Sequence, residues 1–521
     1  MKEQSKKTVA KKKFFKMVFS RAGIFVILIL IQLLVFLGIP YYLKEYATFI
    51  YSAMSVMEIV VLVYIINTEG NPAFKMTWML CVMALPVIGT VFYIYVHLQL
   101  ETRFVQNRLA ALRMETEPYM DQDEKVTEAL WASKSANAQL SYYLSHQLGF
   151  PTYRNTEVEY FPVGEDKFAS MIKELEKAEK FIFMEYFIVE EGIMWDTILE
   201  IMKRKVNEGV EVRFMYDGMC AFDLLPYSYP KKLQKFGIKC KMSNKIRPFV
   251  STIQNNRDHR KICVIDGQTG YVGGVNLADE YINARERFGH WKDTAVVLEG
   301  RGVWNLAVMF LSMWGYLRGV EENFDDFRPY FPPEELPVTK GYVQPFNDSP
   351  WDQESVGENV YLNMITRANR YVYITTPYLV IDHEMLTALS NAAKSGVDIR
   401  IITPHIPDKW YVHEVSRAHY PLLLENGVRI YEYTPGFIHA KTFCCDDQFG
   451  VVGTINLDYR SLYLHMECGV WMYGTDSIAD IKYDFIRTMR KSQEITLEDC
   501  RRVPWYRRLL RAFLRAFAPL M

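Results

Sequence analysis

Two copies of one short pattern constrain this chain more than anything else in it. His259-Arg-Lys261-Ile-Cys-Val-Ile-Asp266 is followed, after six residues, by Gly273-Gly274-Val-Asn276. His439-Ala-Lys441-Thr-Phe-Cys-Cys-Asp446 is followed, again after six, by Gly453-Thr-Ile-Asn456, and every matched position is offset by 180 residues. A period this long is not that of a solenoid. The surroundings repeat as well: Gly209-Val-Glu-Val-Arg-Phe-Met-Tyr216 matches Gly396-Val-Asp-Ile-Arg-Ile-Ile-Thr403. Short β-type runs alternate with helical patterns in each copy. The expected fold is therefore α/β, with two similar α/β/α domains, 151–330 and 331–500, packed about a pseudo-twofold axis.

Residues two apart on a strand share a face. His259 and Lys261 therefore point the same way, as do His439 and Lys441. Asp266 and Asp446 complete the catalytic motif, but each lies seven residues from its His, on the opposite face, and reads as a residue tying down a strand end. Gly273 and Gly453 let backbone approach closely, while Asn276 and Asn456 add neutral donors for a phosphate. If the halves face each other, two His, two Lys and two Asn meet in one site. One imidazole can attack phosphorus while the other protonates the leaving alkoxide, and two ammoniums neutralise the non-bridging oxygens. Such an imidazole needs an acid on its far nitrogen to fix the tautomer. Asp293 and Glu467 are the candidates, each expected on a strand returning beside the motif upstream of it, with Asp279, Glu280 and Asp458 as rivals. The eight cysteines form neither a CxxC pair nor a His/Cys cluster at zinc spacing, so neither a metal nor another cofactor is expected.

Charge and hydropathy divide the chain unevenly. Lys and Arg number 60 against 61 Asp and Glu, and that balance argues against nucleic acid as the partner. Residues 1–21 nevertheless form a basic arm, expected in the cytoplasm. Apolar runs follow at 22–39, 48–66 and 77–96, which read as two or three membrane helices and a multi-pass protein of the cell membrane. The run at 48–66, which contains Glu58, is the weakest of the three. Residues 98–150 are polar and helix-favouring. Residues 501–521 are Arg-rich, with Arg508, Arg511 and Arg515 on one helical face and Leu509, Leu510, Phe513, Leu514 and Phe517 on another. That pattern suits a helix on an anionic bilayer, or one docked on the catalytic core.

The paired motifs resemble the phospholipase D superfamily in its two-motif, single-chain form. Pro86-Val-Ile-Gly, Tyr186-Phe, Thr376-Pro-Tyr-Leu, Gly436-Phe-Ile-His-Ala-Lys441 and Asn456-Leu-Asp-Tyr-Arg-Ser461 are similar to segments of bacterial cardiolipin synthases. The extra apolar run at 22–39 departs from that family's more usual two membrane segments. The resemblance implies a phosphatidyltransferase acting on phosphatidylglycerol in anionic membrane lipid, through a phosphohistidine. By the same analogy His259 is the nucleophile, His439 the general acid, and Ser461 lines the phosphate site. The near-equivalent halves do not themselves separate the two histidines. Hydrolysis in the manner of phospholipase D, or transfer to serine, would use the same motifs.

Overall fold

Two mixed β-sheets of matching strand order form the body of the protein. The computed structural model describes residues 44–97 and 114–520, except 133–137, 246–254, 319–321, 333–335, 337 and 352–353, plus a few single positions before 44 and between 98 and 113. The first sheet has seven strands, in the order Thr156–Phe161, Ala295–Gly300, Thr269–Gly273, Ile262–Ile265, Phe181–Tyr186, Glu211–Asp217 and Lys239–Ser243. The second runs Tyr342–Asp348, Glu467–Tyr473, Phe449–Gly453, Thr442–Cys445, Tyr371–Thr375, Asp398–Pro404 and Arg429–Tyr433. An eighth strand, Ser492–Ile495, adds an edge without a counterpart in the first half. The inner strands Phe181–Tyr186 and Tyr371–Thr375 are buried at every position, as covering on both faces requires.

The two halves share an apolar core, and a second apolar cluster belongs almost wholly to the first half. Phe183, Leu298 and Phe310 of the first half belong to the same cluster as Phe346, Ile374 and Val470 of the second. The apolar helix Val303–Arg318 lies inside it, with Leu306, Ala307, Phe310 and Leu311 fully buried. An ionic tie crosses between the halves. Lys292 donates to Asp484 at 2.8 and 3.0 Å, and the Tyr160 hydroxyl donates to the same carboxylate at 2.8 Å.

The amino-terminal hundred residues form a separate unit. Its described part holds the helices Ala47–Asn67, Pro72–Ala84 and Pro86–His97, packed through Val61, Ile65, Val82 and Tyr93. The run expected to be the weakest forms the long helix: Ala47–Asn67 has 21 residues, about 32 Å at 1.5 Å each. Among the described residues it alone is long and apolar enough to cross a membrane. The run 77–96 is instead broken at Leu85, because Pro86 has no N–H to continue the first helix. All but two positions of the run at 22–39 lie outside the described residues, as do nearly all of 98–113. The remainder of 98–150 is a series of short helical pieces, Glu117–Tyr119, Glu124–Ala132, Ala138–Tyr142 and Tyr143–Gln147.

Candidate active site

The first motif starts where the strand Ile262–Ile265 begins, and the second where Thr442–Cys445 begins, so the two histidines occupy equivalent places in their sheets. Each is then fastened to the other half. The His259 N–H donates to the Met466 carbonyl at 2.9 Å, and the His439 N–H donates to the Lys292 carbonyl at 2.7 Å. Around these bonds the chain makes short parallel pairings, a bridge between Asp258 and Met466 and a ladder of Gly436–Ile438 on His290–Lys292.

This cross-bracing exchanges the orienting acids. His259 Nδ1 donates to both oxygens of Glu467 at 2.9 Å, while His439 Nδ1 donates to Asp293 Oδ2 at 2.6 Å. Sequence spacing led to the opposite expectation, each acid serving its own half. The parallel bridges explain the difference, since they place Met466-Glu467 and Lys292-Asp293 alongside the opposite histidine. The three rival acids are engaged elsewhere. Asp279 caps the helix that begins at Ile193, Glu280 bonds Arg285 and Arg287, and Asp458 caps the helix Tyr459–Tyr463.

With Nδ1–H given to a carboxylate, each imidazole keeps its lone pair on Nε2, the form needed for attack on phosphorus. Burial pushes His259 well below the usual histidine range, against the pull of Glu467, and pushes His439 down to about 4 with Lys441 adding to the effect. Burial alone would raise Glu467, but the His259 ring and its hydrogen bond hold the carboxyl well below its ordinary value. Burial likewise brings Lys261 to about 8 and Lys441 to about 7. A phosphodiester anion between these groups would favour the protonated form of all four. Both lysines bond the carbonyl of their own motif histidine, and Lys441 Nζ also lies 2.9 Å from His439 Nδ1.

The other motif residues divide into framework and open groups. Asp266 accepts the N–H groups of Glu179, Lys180 and Phe181 at 2.7–2.8 Å, and Asp446 those of Asn369, Arg370 and Tyr371 at 2.7–2.9 Å. Both hold the loop that enters an inner strand, the framework place that their seven-residue distance from the histidines predicts. Asn276, expected at the phosphate, is held within its own half: its Oδ1 accepts from the Ile188 N–H at 2.9 Å and its Nδ2 donates to Tyr281 at 2.8 Å. Asn456 Oδ1 and Ser461 Oγ are buried without a hydrogen-bond partner among the described residues, and so stand open to a polar ligand. A Cβ on Gly274 would come within 2.0 Å of Asp293 Oδ1, so glycine there makes room for the acid. In the second half Thr454 replaces it, and its hydroxyl donates to Glu467 at 2.5 Å.

His465 is the residue sequence reasoning passed over. Its ring centroid lies 5.5 Å from that of His259, and its Nδ1 is 3.8 Å from Glu467 Oε1. Trp291 holds the matching place beside His439, at 5.6 Å. Both rings stand two residues before the exchanged acid, and that shared position was the available signal. Among the described residues His259, His465 and Glu467 are also the one group with metal-ligand spacing, their ligand atoms lying within 4.8 Å of one another. The carboxylate is already bonded to His259 and Thr454, and the charge of Lys261 acts on it, an arrangement better suited to an anion than to a cation. A cavity of about 570 Å³ lined by Arg154, Arg301, Trp304 and Arg328 lies at the Gly300 end of the first sheet, away from the histidines.

The family described as "Cardiolipin synthase, PLD-like domain" matches residues 171–303 and 361–489, one segment on each sheet. An uncharacterized protein of Streptococcus mutans is 48% identical over 461 residues, covering 88% of this chain and 99% of that one. A cardiolipin synthase of Alkalihalophilus pseudofirmus is 33% identical over 480 residues, covering 90% and 92%. In fold, the chain is similar to the phosphatidylserine synthase of Haemophilus influenzae, with a TM-score of 0.53 at 14% identity over 70% of this chain and 93% of that one. Two matched segments, each carrying one His/Lys pair, together with a relative alike over nearly its whole length, place the chain in the cardiolipin synthase family of phospholipase D-like proteins.

Proposed function

We propose that the chain makes cardiolipin by transferring a phosphatidyl group from one phosphatidylglycerol to another, with release of glycerol. The observation that supports this reading is two buried His/Lys pairs close enough for Lys261 to act on both His439 and Lys441, each imidazole with Nδ1 held by a carboxylate and Nε2 without a hydrogen-bond partner among the described residues. In the first step His259 Nε2 attacks phosphorus and the P–O bond to the headgroup glycerol breaks. His439 gives its proton to that oxygen, and glycerol leaves. In the second step a headgroup hydroxyl of another phosphatidylglycerol attacks phosphorus, its proton passes to His439, and the N–P bond breaks. Lys261 and Lys441 offset the charge on the non-bridging oxygens, with Asn456 and Ser461 as further polar contacts. The assignment of His259 as nucleophile rests on family resemblance.

The substrate places the enzyme at a membrane. Ala47–Asn67 supplies one crossing helix, and the apolar run at 22–39 is proposed as a second, which makes the protein multi-pass. Two crossings return the catalytic body to the side of the basic arm, the cytoplasm. Eight free cysteines agree with a reducing compartment. The test is incubation of the purified protein with phosphatidylglycerol vesicles. Cardiolipin and glycerol in equal amounts are expected, whereas phosphatidic acid without cardiolipin would make the enzyme a hydrolase.

A further inference from the structure

The carboxy-terminal helix Trp505–Ala516 is mounted inside out for a water-soluble surface. At 100° per residue its arginines fall on one stripe, and its apolar side chains cover the rest. Two of these arginines hold the helix to the protein. Arg507 Nε donates to Glu414 Oε1 at 2.9 Å, and Arg511 Nε to Glu414 Oε2 at 2.7 Å. Glu414 is a buried member of the helix Trp410–Glu425, and Arg511 is the one buried residue of the terminal helix. The apolar face points away: Trp505 is 71% exposed, Tyr506 62%, Leu509 64% and Phe513 62%. Water makes this orientation unfavourable, since a docked helix ordinarily turns its apolar stripe inward.

We propose that this helix is an interfacial anchor that lays Trp505, Leu509 and Phe513 into an anionic lipid surface. Charge complementarity selects that occupant. Arg508 and Arg515 are exposed and form no ion pair among the described residues, so their charge remains available to an anionic headgroup. Trp410 (60% exposed) and Tyr411 are further exposed aromatic rings, at the start of the supporting helix. The anchor also connects to the chemistry. The Leu379 N–H donates to Ser416 of the supporting helix at 3.1 Å, and Leu379–Val380 pairs with Leu457–Asp458, the two residues after Asn456. The lipid contact is thus mounted one layer behind the second motif. It stands on the exposure and charge of the helix and does not depend on which reaction the site performs.

The test uses the full chain reconstituted in vesicles, with the two partly exposed thiols, Cys81 and Cys500, replaced by serine. Bimane is placed at Leu509→Cys or Phe513→Cys, and at the exposed Glu200→Cys of the first half as control. In phosphatidylglycerol-containing vesicles carrying a doxyl-labelled lipid, positions 509 and 513 are expected to be quenched at least about threefold more than position 200, and less so in phosphatidylcholine alone. Quenching no greater than the control overturns the proposal. So does a buried, cross-linkable 509 in detergent, which would assign the face to a second copy. A Leu509→Glu/Phe513→Glu variant is expected to lose about tenfold in turnover on bilayers and less than twofold in detergent micelles. Equal loss in both, or loss in neither, also overturns the proposal.

Discussion

Replacing Glu467 by Gln keeps the shape of the side chain and removes its charge from beneath His259. The wild-type carboxylate is fully buried and accepts from Nδ1 with both oxygens. A hydrogen bond to a buried charge contributes about 1.5–3 kcal/mol, which corresponds to a loss of about 10- to 150-fold in kcat/KM. The sharper signature is in the pH profile. Glu467 raises the affinity of His259 for its proton, so its removal moves the His259 transition to lower pH. A nucleophile must be neutral, so the acid limb shifts down. Asp293→Asn acts on His439, which must carry a proton in the first step, so there the alkaline limb shifts down. Activity is read as labelled glycerol released from phosphatidylglycerol vesicles, and mass-spectrometric mapping of the trapped phosphohistidine establishes which ring attacks. Two results would refute the reasoning: Glu467→Gln within twofold of wild type, or both variants moving the same limb.

Three further perturbations test the framework. Gly274→Ala drives a methyl group into Asp293 Oδ1 and is expected to reduce turnover about 100-fold with the fold retained, as read by kinetics and circular dichroism. Asp484→Ala strands the buried ammonium of Lys292 between the halves and is expected to destabilise the body by about 3–5 kcal/mol in urea unfolding. His419 is buried, both ring nitrogens lack a hydrogen-bond partner among the described residues, and burial lowers it to about 3. Its unfolded form therefore binds the extra proton between pH 6.5 and 3, and the stability present above that window is lost as pH falls. Wild type should lose about 2 kcal/mol at this residue from pH 7 to pH 5, a loss that His419→Leu should abolish.

The motif spacing was enough to read two similar sheets, because an offset repeated at five positions leaves one arrangement that brings both histidines together. The framework role of Asp266 and Asp446 was legible too, since a two-residue period places them away from the imidazoles. Alternation along one strand carries no information about a partner strand some 200 residues away, so it could not reveal that Glu467 serves His259. Nor could it show that Tyr281 and the Ile188 amide occupy both ends of Asn276. Counting apolar residues ranked the described membrane runs in the wrong order for a related reason. The interruption at Pro86 matters more to a helix than the single charge of Glu58, which the long helix accommodates.

The exchange of acids gives catalysis a place in time as well as in space. When a ribosome has completed the first motif, His259 exists but its counter-charge does not, because Glu467 is encoded 208 residues later. The first half by itself therefore carries His259 without the carboxylate that fixes its ring. Under the proposed function, only a chain elongated through the strand Glu467–Tyr473 holds the His259 ring for attack on phosphorus, so a separately made first half is expected to cut no phospholipid.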